Sequence, residues 1–236
     1  MSGPLPRESD RCGWPQAILF DLDGTLIDSA PDIAIAVNEL LAGEGHAALT
    51  LAEVRSMIGN GIRKLVERAF AARGVTLEGD NLDALFETML GIYGRHLTGE
   101  TKLLPGAAQM LAAYSKAGVR IAVVTNKHEG FSRTILDALE LSHHVHAVVG
   151  GDTGPTRKPA PDMLFHALEL VGVDVSRALM VGDSPADIDA AKAAGMPSVA
   201  VRGGYTNIAV EDLGANLVIE SMVDLPHAIE MLKEPV

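Results

Sequence analysis

Ala17-Ile18-Leu19-Phe20-Asp21-Leu22-Asp23-Gly24-Thr25-Leu26 decides how the rest of the chain is read. Its first four residues have the pattern of a buried strand, which stops abruptly at two carboxylates, a glycine and a hydroxyl. Open α/β sheets keep their ligands at the carboxyl ends of their strands, so this junction is the expected address of an active site. Asp21 and Asp23, two residues apart with no cation between them, repel each other unless one is protonated or a metal ion joins them. Either condition suits phosphoryl transfer.

Downstream the apolar spacing changes period. Over 31–101 every signal is helical: 32–41 carries Ile33, Val37, Leu40 and Leu41 on one face, 51–57 follows Thr50 as an N-cap, and 62–72 and 82–96 are further amphipathic segments. From Leu103 onward helices over 107–117, 129–139, 161–171 and 185–194 alternate with strands over 119–125, 145–149, 178–181, 198–201 and 217–219. Such alternation implies parallel strands with crossover helices on both faces. The strand at 17–20 joins them. The expected fold is therefore α/β, a doubly wound, Rossmann-like parallel sheet with an inserted small all-helical cap. A flexible tail takes 1–14, the core 15–30 and 103–236, and the cap 31–102, with Leu103-Leu104-Pro105-Gly106 as the return hinge.

The 236 residues are 47% hydrophobic, enough to bury a sizeable core and set disorder aside. A formal net charge of −12 repels nucleic acid and anionic membrane, which argues against both as partners. It repels a phosphorylated small molecule too, so a site for one needs local positive charge. Cys12, the single cysteine, leaves no intramolecular disulfide and fits a reducing compartment. No run reaches membrane-spanning length, and residues 1–14 lack the apolar stretch of a secretion signal, so a cytoplasmic protein is expected.

Three further strand ends carry chemistry. Thr125-Asn126-Lys127 follows the apolar run Ile121-Ala122-Val123-Val124 and offers a hydroxyl and an amide to phosphate oxygens. Lys158-Pro159 lies in a loop where the proline biases the lysine toward extended backbone, which helps hold a compact ammonium against an anion. Gly182-Asp183-Ser184-Pro185-Ala186-Asp187 follows Ala178-Leu179-Met180-Val181 and returns carboxylates to a strand end. Taken singly, each reads as a βα turn, a helix cap or a solvated loop residue. Their conjunction on one sheet edge, with carboxylates for a hard cation and a lysine and hydroxyl for an anion, reads as one site.

In order and spacing these four motifs resemble those of the haloacid dehalogenase superfamily, and the helical insert resembles its small cap. Gly59-Asn60-Gly61, the run 149–153, Arg157-Lys158-Pro159 and the run 190–195 resemble most the bacterial phosphoglycolate phosphatase family. The resemblance implies a Mg²⁺-dependent phosphatase of small phosphate monoesters, 2-phosphoglycolate foremost. Asp21 would be the nucleophile that forms an aspartyl-phosphate. Asp23 would be the acid and base, its backbone carbonyl a Mg²⁺ ligand beside Asp21 and Asp183. Thr125 and Lys158 would neutralise the transferring group and Asn126 bind substrate. Asp187, one helical turn past Asp183, suits a supporting role toward Lys158 or a metal-bound water better than direct ligation.

Asp23 separates this chain from dehalogenases, which need no acid for a halide. A sugar-phosphate mutase of the same superfamily shares all four motifs. A phospho-accepting receiver-like domain also sets aspartates, a threonine and a lysine at parallel strand ends, but needs neither Asp23 nor a cap. Substrate reading is expected from the cap, where Asn60 in Gly59-Asn60-Gly61 and the nearby Arg63 could hold a carboxylate at a helix start. His143, His144 and His146 read as surface residues, and Arg202-Gly203-Gly204-Tyr205 is expected at the rim. The oligomeric state is left open.

Overall fold

The computed structural model describes residues 13–233, so the tail expected over 1–14, apart from residues 13 and 14, lies outside the described residues, as does Cys12. Six strands, β1 (Ala17–Phe20), β4 (Arg120–Val124), β5 (Ala147–Val149), β6 (Ala178–Gly182), β7 (Ser198–Val201) and β8 (Leu217–Ile219), form one sheet in the order β5-β4-β1-β6-β7-β8. Every pairing in it is parallel. The order reverses at β1, which leaves a crevice at the carboxyl ends of β1 and β6, where doubly wound sheets bind ligands. Register sets the motifs beside one another there: Phe20 is opposite both Val123 and Val181, so Asp21, Thr125 and Asp183 leave the sheet along one edge.

Both faces of the sheet are covered, which explains the continuous apolar strand runs. Ile18, Phe20, Ile121, Val123, Leu179 and Val181 pack on one side, with α5 (Ala107–Lys116), α6 (Glu129–Ala138) and α9 (Leu225–Lys233). Ala17, Leu19, Ala122, Val124 and Met180 point to the other, against α7 (Asp162–Val171) and α8 (Pro185–Ala194). Alternate residues of one strand thus build two separate cores.

Between β1 and β4 the chain leaves the sheet through β2 (Ile27–Asp28), runs through α1 (Ala30–Gly43), α2 (Leu51–Arg55), α3 (Ile62–Ala71) and α4 (Gly79–Tyr93), and returns through β3 (Lys102–Leu103). The helices pack mainly on one another, and their buried Val37, Phe70 and Met89 join the core of the first face. Thr50 caps α2 as expected, in a reciprocal box with Glu53. The return at 103–106 is not a bare hinge: β3 pairs antiparallel with β2, placing Leu103 opposite Ile27 and closing the excursion with a two-stranded ribbon. That ribbon and α9 are additions to the sequence reading. Among the described residues no helix is long and apolar enough to cross a membrane.

Candidate active site

The turn after β1 is built to bring three loops onto one carboxylate. The Asp21 amide donates to Val181 O at 2.9 Å, extending the β1–β6 ladder by one residue. Gly24 then adopts φ 86°, and a Cβ there would lie 2.6 Å from Asp183 Oδ2, so only glycine fits. Thr25 Oγ1 donates to Asp183 Oδ1 at 3.1 Å, while the Tyr205 amide donates to Oδ2 at 2.7 Å. Asp183 is thereby fixed, although only 1% exposed.

Lys158 is equally constrained. Its ammonium donates to Asp21 Oδ1 at 2.9 Å, Asp187 Oδ1 at 2.6 Å and Val124 O at 2.6 Å, which engages all three of its protons. Asp187 Oδ2 in turn accepts from the amide and hydroxyl of Ser184, the N-cap of α8. Asp187 therefore orients Lys158 and closes a helix end. Burial opposes the charge of Lys158, but Asp187 and Asp21 more than offset it and hold its pKa above the ordinary lysine value. One ammonium cannot neutralise three carboxylates. Burial, reinforced by the charge of Asp187, therefore pushes Asp21 up to about 7 and Asp183 well above its ordinary value.

Asp23 turns the other way. Both its oxygens accept from Lys127 Nζ at 2.9 Å, and Ser29 Oγ donates to one of them. The repulsion expected between Asp21 and Asp23 is thus relieved by giving each carboxylate its own lysine. Lys127 is buried, and the ring of Tyr93, from the end of α4, sits 4.8 Å from its ammonium. Burial works against the Lys127 charge too, and Asp23 and Tyr93 outweigh it, leaving the pKa above the ordinary lysine value. The sequence reading gave Lys127 and Tyr93 no role. Lys127 directly follows Thr125-Asn126, a signal that was available; Tyr93 ends an amphipathic helix like any core aromatic and offered none.

The structure separates the residues expected to bind substrate. Thr125 and Asn126 reach the cavity. The Asn126 amide group ties loops together, donating to Gly59 O and to Lys158 O, both at 3.0 Å. Asn60 also lines the cavity, its Oδ1 accepting from Arg68 at 2.7 Å. Arg63 does not. It sits at the flank of the buried stripe Leu65, Val66, Ala69 and Phe70 on α3, half exposed, and pairs with Asp83 of α4. The structure thus places Arg63 away from the cavity lining, in an exposed ion pair. Tyr205 lines the cavity as expected of the 202–205 segment, whereas His143, His144 and His146 line no part of it. The Tyr205 hydroxyl donates to Asp28 Oδ1 at 2.7 Å and accepts from the amides of Ser29 and Ala30. It joins the Asp183 loop to the start of the helical excursion.

These groups surround one cavity of about 270 Å³ between the sheet edge and the helices. Oxygens of Asp21, Asp183 and Asp187 lie within 4.8 Å of one another. Fully ionised, Asp21, Asp23, Asp183 and Asp187 would face Lys127 and Lys158 alone among the described lysines and arginines that line the cavity, an excess of two negative charges that one divalent cation would neutralise. Asp187 Oδ2 accepts two bonds from Ser184 and its Oδ1 accepts the ammonium of Lys158, whereas each Asp183 oxygen accepts one bond and Asp21 meets Lys158 through Oδ1, so Asp21 and Asp183 keep lone pairs for that ion, and an all-oxygen set suits a hard cation.

Carboxylates turned apart by two fixed ammonium groups, beside one cavity at a switch point, are the kind of arrangement an enzyme's site requires. The haloacid dehalogenase-like hydrolase family matches residues 15–195, and the chain belongs to that family. It is similar to the phosphoglycolate phosphatase of Caulobacter vibrioides, 44% identical over 211 residues, or 89% of each chain. It is 43% identical to that of Mesorhizobium japonicum, over 86% of this chain and 89% of the relative. A crystal structure of a predicted phosphoglycolate phosphatase from Haemophilus somnus superposes with a TM-score of 0.84 at 30% identity, covering 90% of this chain and 97% of that one. The chain is accordingly an enzyme, a phosphoric monoester hydrolase.

Proposed function

We propose that this enzyme hydrolyses 2-phosphoglycolate with Mg²⁺ through an aspartyl-phosphate on Asp21. The observation that carries the proposal is the opposed orientation of Asp21 and Asp23, the first toward the carboxylate cluster and Lys158, the second toward Lys127 and the helical layer. A nucleophile and an acid flank the scissile P–O bond from two sides in such an arrangement. An Asp21 oxygen attacks phosphorus as the bond to the leaving oxygen breaks, and Asp23 gives that oxygen its proton. Water then attacks phosphorus, its proton goes to Asp23, and the bond to Asp21 breaks to release inorganic phosphate. Lys158 and Thr125 stand where charge gathers on the transferring oxygens. Mg²⁺ on Asp21, Asp183 and the Asp23 carbonyl would supply the remaining charge neutralisation.

The helices of 31–102 act in this reading as a cap that closes on the core of 15–30 and 103–236, excluding water from the cavity. The chain's charge and single cysteine support a cytoplasmic enzyme of small molecules. Its similarity to named phosphoglycolate phosphatases supports the substrate. The test is kcat/KM over a panel of phosphate monoesters with and without Mg²⁺, including hexose 1-phosphates scored for isomerised product. Phosphoglycolate is expected to rank first, with Mg²⁺ required. A higher rank for a sugar phosphate, or isomerisation without release of phosphate, would refute the reading.

A further inference from the structure

The cavity must hold a small dianionic phosphate and, beside it, whatever the leaving group carries. Lys127 and Lys158 are the only lysines or arginines among the described residues that line it. Lys158 is engaged by Asp21, Asp187 and Val124 O, and Arg63 lies outside. Any further anionic group in the ligand therefore has Lys127 as its cation.

The chemistry of the proposed substrate narrows the location. In phosphoglycolate one methylene separates the leaving oxygen from the carboxylate. Asp23 must reach that oxygen, so the substrate carboxylate comes to rest beside the Asp23 carboxylate. Once Asp23 has given up its proton, two anions lie side by side in the cavity and need a shared cation and donors. Lys127 Nζ is already bonded to both oxygens of Asp23, each at 2.9 Å. The Tyr93 hydroxyl is buried beside that ammonium and interacts with it, but its own proton meets no acceptor among the described residues. A buried O–H left without an acceptor is costly, and a ligand acceptor would satisfy it.

We propose that Lys127 and the Tyr93 hydroxyl form the subsite that reads the substrate's carboxylate, in place of the cap arginine. The assignment rests on the phosphoglycolate reading above. It also gives α4 a part in selection. Tyr93 is the last residue of α4 and Lys127 follows β4, so the pair is complete only when the helical layer lies on the sheet edge. A ligand bearing a carboxylate then favours the closed state by the contacts it makes there.

The test compares kcat/KM for 2-phosphoglycolate and 2-hydroxyethyl phosphate, which keeps the ester and the chain length but lacks the carboxylate. Both are measured in the wild type, Tyr93→Phe, Lys127→Met and Lys127→Arg. Their ratio cancels general damage to folding or acid–base chemistry. The ratio is expected to fall about tenfold or more in Tyr93→Phe and Lys127→Met, through KM for phosphoglycolate, the scale of a lost hydrogen bond to a charged group. Lys127→Arg should keep more of the ratio than Lys127→Met, and inhibition by the product glycolate should weaken in step. Tyr93→Phe removes one oxygen and keeps the test alive if a lysine variant fails to fold.

A wild-type preference for phosphoglycolate with ratios unchanged in all variants would overturn the subsite and leave the substrate reading standing. A wild type that prefers another carboxylate-bearing ester, with ratios that collapse in the variants, would support the subsite and refute the substrate. Equal turnover of both esters by the wild type would overturn both.

Discussion

Gly204→Ala is the most searching single-atom perturbation of the site. Gly204 lies in the loop after β7, outside the left-handed region, so the substitution adds contact without backbone strain. A Cβ there would stand 2.1 Å from Asp183 Oδ2 and 2.4 Å from its Cγ. Ordinary contact begins at 3.4 Å, so the loop or the carboxylate must yield by about 1.3 Å. Neither is free to do so: the Tyr205 amide holds Oδ2, Thr25 holds Oδ1, and Gly24 closes the opposite side. Overpacking costs about 1–3 kcal/mol, and a displacement near 1 Å at a reacting centre costs about a hundredfold in rate. The variant should therefore lose roughly two orders of magnitude in kcat and need more Mg²⁺ for half-maximal activity. Magnesium titration of steady-state hydrolysis, beside thermal unfolding, is the assay. Gly195→Ala is the control: at φ 68° with no atom within 4 Å, it costs only the left-handed strain of about 1–2 kcal/mol and should lower Tm without changing the magnesium requirement. Wild-type kcat and magnesium dependence in Gly204→Ala would refute the claim that this loop sets Asp183.

Asp21→Asn should lower turnover more than about a hundredfold while preserving the fold, since it deletes the proposed nucleophile at constant volume; greater residual activity would contradict covalent catalysis. The metal-free protein should lose stability as pH rises from about 4 toward 7. Asp21 has its ordinary value of 3.8 when unfolded and about 7 when buried, so the native state binds more protons across that window. Stabilisation by Mg²⁺ should grow over the same range, and unfolding curves in chelator and in Mg²⁺ that keep a constant separation would refute it. Arg63→Ala should change stability by no more than about 1 kcal/mol, as for an exposed ion pair, and leave kcat/KM for phosphoglycolate near the wild-type value. A selective loss there would restore the arginine to the site.

The sheet and its four motifs were legible because a strand covered on both faces is continuously apolar and ends sharply, as at Phe20-Asp21 and Val181-Gly182. The β2–β3 ribbon was not, for two residues per strand carry no period and their partners lie some seventy-five positions apart. The placement of Arg63 outside the cavity lining was not legible, because its sequence position, just past Gly59-Asn60-Gly61, says nothing of which way a side chain at the flank of α3 turns. Asp83, twenty residues on, decides that. The pairing of Asp23 with Lys127 spans 104 positions and depends on β1 lying against β4, a contact the topology makes and no local pattern announces. Asp187 was readable in part. Its place one turn into α8 pointed to support of Lys158, and its second use in capping that helix emerged only with the geometry.

Acid quench during turnover of 2-phosphoglycolate, borohydride reduction and peptide mapping by mass spectrometry test covalent catalysis most directly, because reduction turns an aspartyl-phosphate into homoserine in place. Homoserine is expected at position 21, dependent on substrate and absent from Asp21→Asn. Homoserine at Asp23, Asp183 or Asp187, or an unmodified Asp21 throughout turnover, would contradict it.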